Sequence, residues 1–274
     1  MADFFGLRLA LSMFTVAPVT ARRINRRIAG ASMAWSPVIG AALALIASGV
    51  IIVARFVYPG PTLYIRHANP VFEGPLIASA LAILTLALLT RGLHLDGLAD
   101  TVDGLASGKP AEEALAIMRD GRVGALGAAA LIGVLGIDVL ALTSNALVHR
   151  STQALLLGVV AGRVSMLWAC TPGIPAARTD GMGALVAGSV SRIVAIFWTL
   201  VLCAAAILYG PLDANIKGVN SAIQRLVAVL AALAVARLVG RHAIRRFGGI
   251  TGDVIGACGE IATMTCFLIT AMGH

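Results

Sequence analysis

Ser36–Val57 reads SPVIGAALALIASGVIIVARFV, with Arg55 its one charged residue. An α-helix needs about 20 consecutive apolar residues to cross a bilayer, so this stretch predicts a membrane span. Six more apolar segments follow, near 73–90, 123–143, 153–171, 193–211, 223–240 and 254–272, each rich in Ala, Leu, Val and Gly. Hydrophobic residues make up 59% of the 274-residue chain and charged ones 12%, against roughly 25% charged in soluble domains. The expected fold is therefore all-α: one polytopic membrane bundle over 1–274, with about seven transmembrane helices and short interfacial or cytoplasmic helices beside them. Gly158 and Gly162 form a small-xxx-small pair, a pattern for close helix contact within the chain or between the subunits of a homo-oligomer.

Before the first span, residues 1–35 are expected to form an interfacial segment. MADFFGLRLALSMFTVAP is short for a span and lacks the early positive charge of a cleaved signal peptide. Arg22, Arg23, Arg26 and Arg27 follow as two pairs four residues apart, making one basic stripe. Such a stripe suits an anionic membrane surface, or in a sharper reading a phosphorylated substrate.

Lys and Arg are unevenly divided between the two sides of the predicted bundle. Fifteen lie on the side of the N-terminus and of the loops after the second, fourth and sixth spans; five lie on the other, and Arg163 falls inside a span. The positive-inside rule then puts the N-terminus and those loops in the cytoplasm and the C-terminus outside. The net charge of +8 is accounted for by this bias. No basic groove interleaved with aromatics is present, so nucleic acid is not expected as a partner. Cys170, Cys203, Cys258 and Cys266 show no C-x-x-C pairing and read as small core residues rather than a disulfide frame or zinc site.

The cytoplasmic loop 91–122 is the exception to this apolar composition. RGLHLDGLADTVDGLASGKPAEEALAIMRDGRVG, Arg91 to Gly124, holds six of the thirteen acidic residues in about an eighth of the length. On a helix, Asp96, Asp100 and Asp103 share one face, while Leu93, Leu95, Leu98, Val102 and Leu105 give the segment an apolar side to bury. Three carboxylates at one spot, with no cysteine or clustered histidine nearby, favour a hard divalent cation, Mg2+ or Mn2+. His94 is placed to orient a ligand or carry a proton, or else to cap the loop. Pro110, Glu112 and Glu113 mark the start of a short helix. It delivers Arg119, Asp120 and Arg122 into a turn suited to a substrate phosphate, since guanidinium forks match phosphate oxygens.

GLHLDGLADTVDGL followed by IMRDGRVGALG resembles the signature of the cobalamin synthase family. ARTDGMGALVAG, after the fourth span, resembles the family's AR-x2-G-x-G segment, and FGGITGDVIGACGEI, before the last span, its GG-x-TGD-x-LGA-x2-E segment. The resemblance extends along most of the chain, with Gly121 standing where Ser is more often expected. It implies a Mg2+-dependent enzyme of the bacterial inner membrane, acting on adenosylcobinamide-GDP and α-ribazole or its 5'-phosphate, with release of GMP. Asp96, Asp100 and Asp103 are then the metal candidates, one of them alternatively a general base.

The cytoplasmic turn 241–253 supplies a second part of the site. Gly248, Gly249 and Gly252 leave N–H groups free at a helix start, where Gly252 and Asp253 are placed to receive a phosphate. Arg178 is ranked as a substrate contact above Arg237, Arg241, Arg245 and Arg246, which read as orientation charges or, as the lesser alternative, as contacts to GDP. Glu260 lies inside a span, most simply paired with Arg163, and Asp138 reads as a helix-packing group. Two other classes share some of these features. A CDP-alcohol phosphotransferase or membrane prenyltransferase also uses spaced aspartates with Mg2+, and a transporter would use the intramembrane charges, though at the bilayer midplane rather than in a surface loop.

Overall fold

The computed structural model describes residues 2–20, 24–58, 73–147, 150–208 and 219–272. Arg22 and Arg23, half of the basic stripe, lie outside these. The regular elements among the described residues are eleven α-helices, joined by one isolated β-bridge between Ala176 and Ile250. They are α1 (Ala2–Phe14), α2 (Arg26–Val57), α3 (Glu73–Leu89), α4 (Leu93–Ala106), α5 (Ala111–Ile117), α6 (Ala125–Leu147), α7 (Ser151–Ala169), α8 (Gly181–Val186), α9 (Arg192–Leu208), α10 (Val219–Phe247) and α11 (Gly252–Thr270).

Each of the seven expected spans corresponds to a helix, but they differ in length. α2, α6, α7, α10 and α11 are long and apolar enough to cross a membrane by themselves. α3 meets the same test only together with α4, from which it is bent by 88°. α9 has 17 described residues, one short of that length, and its expected continuation to 211 lies outside the described residues. Both α3 and α9 present apolar side chains outward: Leu84, Leu88, Ile193 and Leu200 are each more than half exposed. Outward apolar surface on a helix that satisfies its own backbone polar groups is what lipid requires.

α7 is the innermost helix, with fifteen of its nineteen residues buried. The Gly158–Gly162 pair serves contact within the chain. Phe267 of α11 lies against Gly158, and the carbonyl of Gly259 against Gly162, so α7 and α11 approach closely in the way small residues permit. α1 buries Leu9, Ala10 and Phe14 in the same core that α2 enters through Ile28, Ala29 and Met33. α2 itself starts at Arg26, capped by Asn25, whose side-chain oxygen accepts the Ile28 N–H at 2.9 Å. The second part of the 1–35 segment is thus the first turns of a 32-residue helix.

What the sequence presents as an acidic loop is two helices. After α3 the chain turns through Arg91 and Gly92, with φ of 56° and 65°. This left-handed conformation is natural for glycine and unusual for arginine. The Arg91 guanidinium donates to the Ser12 carbonyl at 2.6 Å, fastening the turn to α1. α4 therefore does not continue the crossing. It runs over the ends of three spans, touching the start of α11 at Gly97, the start of α6 at Asp103 and the end of α10 at Gly104.

Candidate active site

α4 lies against α11 because Gly97 has no side chain: a Cβ there would stand 2.8 Å from the Cα of Asp253. That approach sets Asp96 and Asp100 beside Asp253, the second residue of α11. Thr251 caps α11, accepting the Val254 N–H at 3.2 Å and donating its hydroxyl to Asp253 Oδ2 at 3.1 Å. Arg178 is the nearby cation. Burial, followed by the charges of Asp96, Asp253 and Asp103, pushes the Asp100 carboxyl up to about 6, with Arg178 opposing. Burial is the larger cause, and the added push from neighbouring acids marks a place where negative charge is in excess.

Asp103 shares the acidic face but is otherwise engaged. Its two oxygens accept the Gly124 N–H at 2.7 Å and the Gly127 N–H at 2.8 Å, anchoring the start of α6. Asp253 is brought to Asp96 and Asp100 in its place, so the carboxylates that converge come from two helices. Among the described residues no three His, Cys, Asp or Glu side chains form a preformed metal cage. His94 turns the other way. Its residue is 2% exposed and its ring lies against the Arg163 Nη1, with Nδ1 at 2.9 Å and Nε2 at 2.6 Å. It also stacks on Phe14 at 5.9 Å between centroids. This is an anchor for the inner end of α4, away from the converging carboxylates.

The arginines follow suit. Arg122 pairs with Asp120 through Nε at 2.8 Å, and both are well exposed. Arg119 reaches Asp180 at 3.2 Å, tying the turn after α5 to the loop before α8. Arg178 donates to the Leu115 carbonyl of α5, and Arg26 to the Ala187 carbonyl after α8, which accounts for one arginine of the basic stripe. The Arg178 loop and the Asp253 turn are joined by backbone bonds, Ala177 N–H to Ile250 and Ile250 N–H to Pro175, both at 2.9 Å. Arg178 consequently borders two clefts. An open one of about 750 Å³ has Glu112, Arg119 and Asp120 on its walls. A smaller one of about 130 Å³ has Asp180, Thr251, Gly252 and Asp253.

Thr251, Asp180, Gly124 and Gly127 are the site residues that the sequence reading did not single out. The pattern T-G-D at a helix start was a usable signal for Thr251; the 21-residue separation of Asp103 and Gly124 offered none. Deeper in the bundle, Asp138, Arg163, Glu260, Thr90 and Thr263 line a cavity of about 50 Å³. Asp138 Oδ1 and Arg163 Nε have no hydrogen-bond partner there.

Fold and site together define a membrane-embedded enzyme whose acidic and basic groups are gathered where the helix ends of its bundle meet. The model of the family described as cobalamin-5-phosphate synthase matches residues 6–271. The chain belongs to that family, among the transferases of cobalamin biosynthesis. It is similar to proteins named adenosylcobinamide-GDP ribazoletransferase. The one from Frankia casuarinae is 38% identical, covering 97% of this chain and 94% of that protein. Those from Desulforamulus reducens and a Nocardioides species are 35% and 33% identical, the alignments covering 97% and 96% of this chain and 96% and 97% of those proteins. No solved structure matches the chain.

Proposed function

We propose that the protein transfers the adenosylcobinamide phosphate group of adenosylcobinamide-GDP to a hydroxyl of α-ribazole or α-ribazole 5'-phosphate, releasing GMP, in a Mg2+-dependent reaction. The observation that carries this reading is the meeting of Asp96 and Asp100 with Asp253 beside Arg178, in a chain of this family. Three carboxylates against one guanidinium, with Asp100 already raised to about 6, fit a hard divalent cation with oxygen ligands. Asp96, Asp100 and Asp253 would hold it, and Asp103 would keep α6 in register behind them. When bound, the cation neutralises charge on the diphosphate and on the phosphorus under attack.

The remaining work falls to the chain's own groups. Arg178 and Arg119 face the larger cleft and supply donors for the GDP phosphates. The acceptor's hydroxyl oxygen forms a bond to the phosphorus on the cobinamide side as the bond from that phosphorus to the GMP oxygen breaks. The hydroxyl proton passes to one of the converging carboxylates. The cavity around Asp138 and Glu260, about 50 Å³, is of water size, and it is the family match that favours a transferase over a transporter.

Arg91, Arg119, Arg122, Arg178, Arg192, Arg241, Arg245 and Arg246 all belong to the end that carries the site. By the positive-inside rule that end faces the cytoplasm of a bacterial inner membrane. The experiment is to mix purified protein in nanodiscs with both substrates and Mg2+ and follow product by mass spectrometry. GMP and a cobalamin product in equal amounts are expected, each absent when either substrate is omitted; absence of GMP from the complete mixture contradicts the reading.

A further inference from the structure

Behind the Asp253 turn lies a further, partly open cavity of about 340 Å³, between α7, α9, α10 and α11. Along α10 it extends from Leu233 to Ile244, roughly 16 Å at about 1.5 Å per residue. Its size falls within the roughly 300–1,000 Å³ of small-molecule sites, and its wall is mainly apolar.

The polar groups in that wall are spent on each other, with one exception. Ser165 donates to the Gly162 and Cys258 carbonyls, Trp168 Nε1 to the Thr199 hydroxyl, Thr199 to the Ala195 carbonyl and the Cys258 thiol to the Ala236 carbonyl. Arg237, which also lines the cavity, makes no hydrogen bond or ion pair with another described residue. Arginine has donors and no acceptor. An apolar cavity offering a single donor-only cation is complementary to a flat apolar ring with an acceptor atom and no donor. A guanidinium also stacks well on such a ring.

We infer that this cavity holds the heteroaromatic base of the acceptor nucleoside, with Arg237 donating to its free ring nitrogen. The inference rests on the proposed transfer to α-ribazole. The benzimidazole of that nucleoside has one ring nitrogen bonded to ribose, leaving the other as an acceptor, and carries no N–H. Position supports the assignment as well as chemistry. Ile250 lines both this cavity and the cleft that contains Thr251 and Asp253. A base seated behind Ile250 is therefore one buried side chain away from the cleft of the converging carboxylates. The site also gives a reason for the membrane setting, since the apolar ring is taken up among spanning helices.

The test uses full-length protein in nanodiscs with Arg237→Met, Arg237→Lys and Gly240→Leu, the last placed where a Cβ meets Cys258 Sγ at 3.4 Å. KM for α-ribazole, KM for the GDP-bearing donor and kcat are measured, together with binding of 1-methylbenzimidazole, which like the nucleoside base has no ring N–H, followed by tryptophan fluorescence. Arg237→Met is expected to raise the acceptor KM about tenfold, the loss of one charged hydrogen bond, Gly240→Leu to raise it at least as much by filling the cavity, and both to abolish 1-methylbenzimidazole binding. The donor KM stays within about twofold of the native value by the same reasoning. Arg237→Lys recovers part of the acceptor affinity. Binding of 1-methylbenzimidazole by the native protein that these variants lose, without GMP release, would retain the cavity and reject the transfer reaction. GMP release with an acceptor KM that neither variant alters would overturn the cavity assignment. So would a phospholipid that co-purifies with the native protein and is lost from Arg237→Met at unchanged acceptor KM.

Discussion

Gly97 of α4 and Asp253 of α11 meet backbone to backbone, such that a Cβ on Gly97 would stand 2.8 Å from both the Cα and the carbonyl oxygen of Asp253. The acidic face of α4 is completed by a residue 156 positions away because this one contact has no room for a side chain. Backbone cannot yield as a side-chain tip can. Gly97→Ala should push the two helices apart, and a displacement near 1 Å at a reacting centre costs about a hundredfold in rate. GMP release should fall by about that factor while stability in detergent falls by about 1–3 kcal/mol, leaving the protein folded. Retention of half the native rate would mean that the two carboxylate-bearing helices need not lie so close.

Asp100 and Asp103 should separate under the same conservative change. Asp100→Asn removes a charge from the converging group and is expected to abolish turnover. Asp103→Asn leaves one oxygen for the amides of Gly124 and Gly127. It should lower stability by about 1 kcal/mol, as the loss of a helix cap does, and keep the native Mg2+ midpoint. The measurement is a Mg2+ titration of GMP release beside thermal unfolding for each variant. A shifted midpoint in Asp103→Asn would give that residue back to the metal site.

His94 lies against Arg163 and Phe14, away from the converging carboxylates, which assigns it a positioning role. Its bond to the buried Arg163 is worth about 2 kcal/mol as a hydrogen bond to a charged group, so His94→Ala should lose stability of that order. His94→Gln, which keeps an acceptor, should retain a rate within about tenfold of native, since only positioning is disturbed. A loss of about a thousandfold in a stable His94→Gln protein would be the mark of a proton carrier.

The pH dependence of stability follows from Asp100. Its carboxyl is raised to about 6 in the folded protein, above the roughly 3.9 of an unfolded chain. The folded state thus binds this proton more tightly than the unfolded one. Asp100 is least favourable to the fold above pH 6, and its contribution improves as pH falls through about 6 toward 4. In EDTA, the unfolding temperature should rise on going from pH 7.5 to pH 5. Asp100→Asn should remove much of that slope, and added Mg2+ at pH 7.5 should reproduce the gain. A native protein in EDTA that only loses stability over this range would contradict the assignment of excess negative charge.

Much of this was legible in the sequence, though unevenly. Uninterrupted apolar runs such as Ser36–Val57 specify helices because lipid leaves the backbone no other partner; a helix stands at each of the seven, and five of them are long enough to cross a membrane alone. The aspartate spacing placed Asp96, Asp100 and Asp103 on one face for a reason intrinsic to helix geometry. The bend at Arg91 was hidden because a left-handed arginine has no sequence signature; the bond to Ser12 stabilises it. The anchoring of α6 by Asp103 and the pairing of His94 with Arg163 were hidden for a similar cause. Both join groups distant in the chain, and the residue types involved occur as readily in ligand sites. Asp253 was recognised as part of the site, but its place beside Asp96 and Asp100 depends on Gly97, read in the sequence only as a permissive residue.

The most direct test of the account is the divalent-cation dependence of transfer. Native protein, Asp100→Asn and Asp253→Asn are stripped with EDTA, returned to nanodiscs, and assayed for GMP release from adenosylcobinamide-GDP and α-ribazole over a Mg2+ titration. The account predicts no release without Mg2+, saturable recovery in the native protein, and none in either variant at any concentration. Native turnover in EDTA, or full Mg2+-dependent turnover in both variants, would contradict it.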